Sequence, residues 1–251
     1  MLLIILSLFF FSLSPVKAQD INQYQSDYRY QLDLYQKSYQ NYLEKEQVDN
    51  KYNTLSTQKD KTEASIDALL QRNQLLYSYL ILLRVQLNQT NSTKDPKNEV
   101  LKEKLLSKET YLKAQDLTIK QLSNKEQVKK WSTQFKNLYP EIQTVIYSSL
   151  IQIQINQQKT ILQKIQILGQ EIQADSPQNQ ALSQWLNELP SQSEMVNQHF
   201  DNAILYTEKK QTGNRFNNFY PSALKELNLA TKLLSEMHSN LKSVVSKFIT
   251  L

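Results

Sequence analysis

Apolar residues recur three and four apart along most of this 251-residue chain, the spacing that lines up one face of an α-helix. Ile21, Tyr28, Tyr35 and Tyr42 lie seven apart, with Tyr24, Leu32 and Tyr39 between them on the same side. The frame then slips, and Val48, Tyr52 and Leu55 resume at four and three. Such a stutter changes supercoiling locally without ending a helix. From Ile66 the pattern is cleaner: Ile66, Leu69, Asn73, Leu76, Leu80, Leu83 and Leu87 form a coiled-coil seam with Asn73 as its one polar core position. Lys59, Asp60 and Lys61 interrupt the seam, but no proline or glycine enforces a stop. The pattern therefore predicts a single helix over about 20–88, with any bend near 57–62, about 100 Å long at 1.5 Å per residue.

Gln89 to Pro96 is dense in turn residues and predicts the first loop. A second helix is expected over 97–138, with Leu101, Leu105, Leu112, Ile119 and Leu122 on one side and Val128, Trp131, Phe135 and Leu138 in a shifted frame. Pro140 suits the first turn of a third helix, which carries Ile142, Ile146, Leu150, Ile153, Ile161, Ile165, Leu168 and Ile172. Inside it, Leu150 to Ile155 alternates with the period of a strand, and isoleucine favours strands. Helix is the better assignment, because the longer periodicity continues on both sides and no segment nearby could pair with a lone strand. Ala174 to Pro177 ends this helix. A short piece over 181–189 follows, then Pro190, a helix over 191–211 capped by Thr212-Gly213-Asn214, and a last helix over 221–248. The fold class expected is all-α: an elongated, antiparallel, coiled-coil-like bundle of three long helices over 19–175, with a C-terminal helical hairpin region over 176–251.

Residues 1–18 break the pattern. Leu2 to Leu13 are apolar apart from Ser7 and Ser12, too short a run for an ordinary membrane-spanning helix. Pro15 follows, and Val16-Lys17-Ala18 sets up a cleavage site between Ala18 and Gln19. These features predict an export signal, although the usual basic residues at its start are missing; an uncleaved anchor is the alternative. Beyond residue 18 no apolar run is long enough to span a bilayer. The chain has no cysteine, so disulfides play no part in its stability.

Composition reinforces the helical reading. Two glycines, Gly169 and Gly213, can hardly serve the hairpins of a sheet or a phosphate-cradling loop, whereas the 31 glutamines are good helix formers. The net charge of +5 is spread along the chain, without the sustained basic stripe that nucleic acid requires. His199 and His238 stand far apart, and neither has a second ligand at helical spacing, so no metal site is expected. No serine sits in a glycine-flanked nucleophile elbow. The sequence gives no reason to assign a catalytic residue or a cofactor, and predicts that the chain is not an enzyme.

Four features remain as candidates. Asn73 would fix the register of the seam by pairing with a polar partner. Tyr24, Tyr28, Tyr35, Tyr39 and Tyr42 make either a wet aromatic core or an exposed contact face, since tyrosine gives area at low entropy cost. The stretch holding Leu75, Leu76, Tyr79, Leu80, Leu82 and Leu83 is the most apolar beyond residue 18. It reads as a helix surrounded by others, or as a segment that engages a membrane without spanning it. Asn88 and Asn91 match the acceptor pattern for N-glycosylation. The expectation is an exported, extracytoplasmic scaffold, spacer or adaptor, in the cell envelope, the periplasm or outside the cell. It would act through protein contacts that include self-association; a secreted, pore-forming type of helical protein using residues 75–85 is the alternative.

Overall fold

The predicted 20–88 helix turns back on itself at Asn53, and local chemistry explains why. In the computed structural model, which describes residues 15–90, 95–175, 180–208 and 219–249, Asn53 has a φ of 46°. Asparagine tolerates this left-handed conformation better than any other residue with a Cβ. Its amide donates to the Asp49 carbonyl at 2.8 Å, closing the first helix. Thr54 opens the second: the Thr57 amide donates to Thr54 Oγ1 at 3.2 Å, and the Thr54 amide donates to Thr57 Oγ1 at 2.9 Å. This is a reciprocal cap that satisfies donors no helix can satisfy internally.

Six helices result, and no strand occurs among the described residues: α1 Pro15–Tyr52, α2 Leu55–Thr90, α3 Pro96–Lys120, α4 Lys125–Asp175, α5 Gln180–Glu208 and α6 Phe219–Ile249. The protein is an all-α bundle. Residues 19–175 hold four helices rather than three, and the longest, α4, has 51 residues, about 76 Å.

Four more predicted boundaries move. The 97–138 helix ends early at Lys120, because Asn124 caps a new one. Asn124 Oδ1 accepts from the Gln127 amide at 3.0 Å, and the Gln127 side chain accepts from the Ser123 amide at 2.8 Å. Pro140 lies in the interior of α4, and Pro190 in that of α5, where helix ends were expected. An interior proline strands the carbonyl four residues back. At Pro140 the affected turn, with Lys136, Tyr139 and Glu141, faces solvent, while Phe135 and Ile142 on either side are buried and hold the helix line. The predicted loop also starts late, since α2 continues through Gln89 to Thr90. Residues 1–14 of the expected export signal, Asn91, and the Thr212–Asn214 cap lie outside the described residues.

The chain divides into two compact units, residues 1–85 with 109–131 and residues 86–108 with 132–251. In the first, α1 and α2 run antiparallel, joined along their length by Tyr28 against Tyr79 (5.1 Å between ring centroids) and by Lys61 with Glu46 and Asp49 (3.3 and 3.5 Å). Leu80, Leu82 and Leu83 of α2 are buried with Leu112 and Ile119 of α3. Each such side chain contributes about 1.5–3 kcal/mol on leaving water.

In the second unit, α4, α5 and α6 share one core. Leu182, Trp185, Leu189, Val196 and Phe200 of α5 meet Ala223, Leu227, Ala230, Leu234 and Leu241 of α6, with Ile155, Leu162 and Ile165 of α4. The strand-like stretch around Leu150 is helix, and its odd pattern has a cause. Ser149, Ile151, Gln152, Ile153, Ile155, Asn156 and Gln158 are all buried and Gln157 alone is exposed, so this part of α4 has no continuous solvent face. Gly169 allows α5 to come close: a Cβ built there would meet the Trp185 ring at 2.6 Å.

Candidate functional site

The candidate residues of the first unit cluster on the facing sides of α1, α2 and α3. Asn73 is 1% exposed and donates twice through Nδ2, to the Leu112 carbonyl at 2.6 Å and to Asp116 Oδ1 at 2.7 Å. Its polar partner is therefore α3 of the same chain. Three turns along α2, Arg84 makes a two-pronged ion pair with the buried Glu109, Nε to Oε1 at 2.8 Å and Nη2 to Oε2 at 3.0 Å. The fork geometry matches guanidinium to carboxylate, and that contact raises the Arg84 pKa and keeps it charged. Together the two ties fix the register of α2 on α3. Trp131 Nε1 adds a bond to Gln115 Oε1 at 2.8 Å, bringing the start of α4 onto α3.

The tyrosine stripe faces inwards. Tyr24, Tyr28, Tyr35 and Tyr42 are half-buried on the side of α1 that also carries the buried Gln25, Ser38 and Asp49. Tyr35 stacks on Tyr39, and Tyr39 meets Tyr42 at a tilt, with centroids 5.8 and 6.1 Å apart. Only Tyr39, 44% exposed, leaves much area to solvent. Burial raises the Tyr28 and Tyr35 hydroxyls above their ordinary range. Tyr42 is pushed up to about 12, by burial and then by donating to Glu46 Oε1 at 2.8 Å. That same bond, with Lys61, pulls Glu46 down. The open aromatic area of α1 lies elsewhere: Tyr30 and Tyr52 are 60% and 59% exposed, and Val48 is exposed with them. Tyr30 and Val48 are eighteen residues apart, five full turns, and share a side of the helix.

Of the apolar stretch, Tyr79, Leu80, Leu82 and Leu83 are buried and Leu75 and Leu76 half-buried. It forms the core of the first unit. No helix among the described residues is long and apolar enough to cross a membrane. At the turn between α1 and α2, Asp49, Gln58, Lys61, Thr62, Ser65, Lys125 and Val128 line a small cavity of about 40 Å³, room for a few waters and too small for an organic ligand.

The second unit holds a polar cluster that periodicity alone did not single out. Asn156 Nδ2 donates to Asn98 Oδ1 at 2.9 Å, Gln152 donates to Asn156 Oδ1 at 3.0 Å, and Lys159 stands 3.7 Å from Asp95. Gln158 donates to Thr231 Oγ1 at 2.8 Å and to the Leu227 carbonyl at 3.1 Å. The interrupted apolar pattern of Gln152, Asn156 and Gln158 within a long helix was the available signal. His199 Nδ1 lies 2.7 Å from Glu226 Oε2, tying α5 to α6; His238 is exposed. No group of three or more His, Asp or Glu side chains is placed to hold a metal ion among the described residues. Ala18 and Gln19 lie in the opening turns of α1.

No family model, curated protein or solved structure matches the chain.

Proposed function

We propose that this protein is an exported, non-enzymatic helical scaffold, spacer or adaptor, working at the cell envelope or outside the cell through protein–protein contacts. The observation that carries the reading is the pair of buried polar ties, Asn73 to α3 and Arg84 to Glu109. A buried amide or ion pair adds little net stability, because desolvation offsets the attraction. What it does supply is one allowed register between helices, the property that a part holding other molecules at set positions needs. The apolar stretch at residues 1–18 with Ala18-Gln19 behind it supports export. The aromatic area left to partners on α1 is Tyr30 and Tyr52 rather than the inward stripe.

The test uses the full chain, tagged at its C-terminus, with cross-linking in intact cells and identification of what is joined to it outside the cytoplasmic membrane. A defined partner joined to the wild-type chain and lost from a Tyr30→Ala, Tyr52→Ala variant of unchanged helix content is the expected result. A chain that stays in the cytosol, or one joined to nothing outside it, would overturn the proposal.

A further inference from the structure

Asn88 and Asn91 are the only asparagines followed two residues on by serine or threonine. Asn88 lies in the last turns of α2 with its side chain exposed, between the fully buried Leu87 and the half-buried Thr90. We propose that Asn88 is an acceptor for an N-linked oligosaccharide, attached before α2 closes; this rests on the export reading. The reaction needs a polyprenyl-pyrophosphate-linked oligosaccharide as donor. The Asn88 side-chain nitrogen bonds to the anomeric carbon of the first sugar, the bond from that carbon to the phosphate oxygen breaks, and polyprenyl pyrophosphate leaves with the electron pair. The nitrogen gives up one proton.

Two features place the event before folding. The transferase reads the threonine hydroxyl together with the asparagine. In the folded chain that hydroxyl is engaged: Thr90 Oγ1 donates to the Gln86 carbonyl at 2.9 Å and receives Asn156 Nδ2 at 3.4 Å. The helical backbone at 88–90 also holds the three residues in a closed turn. Once transferred, the sugar is compatible with the fold, because Asn88 points to solvent while Leu87 and Thr90 carry the packing. A glycan there keeps a bulky, hydrophilic group over the end of α2.

The test expresses the full chain, in an Asn91→Gln background, in a eukaryotic host with an active glycosylation pathway. One version keeps residues 1–18 and a second replaces them with a proven secretion signal. The readout is intact mass before and after endoglycosidase treatment. One glycan, lost in Asn88→Gln and kept in Thr90→Ser, is expected, and purified folded chain incubated with transferase and donor should accept none. A surrogate-signal chain recovered from the secretory lumen at its unmodified mass would overturn the acceptor. Efficient transfer to the folded chain would overturn the order of events. Glycan on the surrogate version only, with the native version cytosolic, would uphold the acceptor and refute the export reading.

Discussion

Asn73 illustrates what a single residue reveals in sequence and what it hides. Its place in a leucine seam marks it as a core amide, and it is one. The identity of its partner depends on α3 running antiparallel beside α2, which no spacing encodes. The contact gives a sharp prediction. Asn73→Asp would set a second carboxylate against Asp116 Oδ1 and the Leu112 carbonyl, both now within 2.7 Å of the amide. Loss of about 3 kcal/mol is expected, as for a buried charge left without a partner. Asp116→Asn added to it should recover much of that loss in urea unfolding, since the amide and carboxylate are then exchanged. Failure of the second change to rescue would mean that the pair does not hold α2 to α3.

Tyr42 gives a second test at the same scale. Its hydroxyl is favoured in the protonated form, with a folded pKa of about 12 against an ordinary 10.0. The stabilisation is thus complete below the unfolded pKa and is lost as pH rises through the folded one. Tyr42→Phe should remove part of the late, high-pH rise in tyrosinate absorbance and leave the early part unchanged. An unaltered late rise would show that Tyr42 ionises with the exposed tyrosines.

Among the elements, helices were legible and their ends were not. Proline and glycine are the strongest punctuation in most chains, yet here Pro140 and Pro190 sit inside helices while Asn53-Thr54 and Asn124 make the breaks. Both breaks had a signal: Thr54 and Thr57, and Asn124 and Gln127, are three apart, the spacing of a reciprocal cap. Apolar spacing resumes beyond each turn in a shifted frame, as it also does across a stutter in an unbroken helix, and Val48, Tyr52 and Leu55, which carry the spacing past the first turn, are exposed. The stretch from Ser149 to Gln158 is hard to read for another reason, since a helix covered almost all round, with Gln157 alone exposed, has no continuous polar face to set its period.

Gly169 is one of two glycines in the chain and is a packing device. Replacing it with alanine should gain about 1 kcal/mol in helix propensity. The new Cβ would stand 2.6 Å from the ring of Trp185, which is rigid and only 4% exposed. Overpacking of this kind costs about 1–3 kcal/mol, so a net loss is expected, with a shift in Trp185 fluorescence. Gly169→Ala combined with Trp185→Leu should regain the propensity term relative to Trp185→Leu alone. A stabilised single variant would show that α4 and α5 are not in close contact there.

For the molecule as a whole, composition was the better guide. Two glycines and 31 glutamines specify helix almost throughout, and the described residues are helical with short turns between. Candidate surfaces were legible only by residue type. Tyr28, Tyr35 and Tyr42 are inward because α2 folds back over them, and that depends on the turn at Asn53. Export, on which the proposed scaffold or adaptor role rests, is tested by the intact mass and N-terminal sequence of the native protein, measured separately in cytosolic and extracytoplasmic fractions. A chain starting at Gln19 and confined to the extracytoplasmic fraction is the predicted result; a chain retaining Met1 and confined to the cytosol would contradict it.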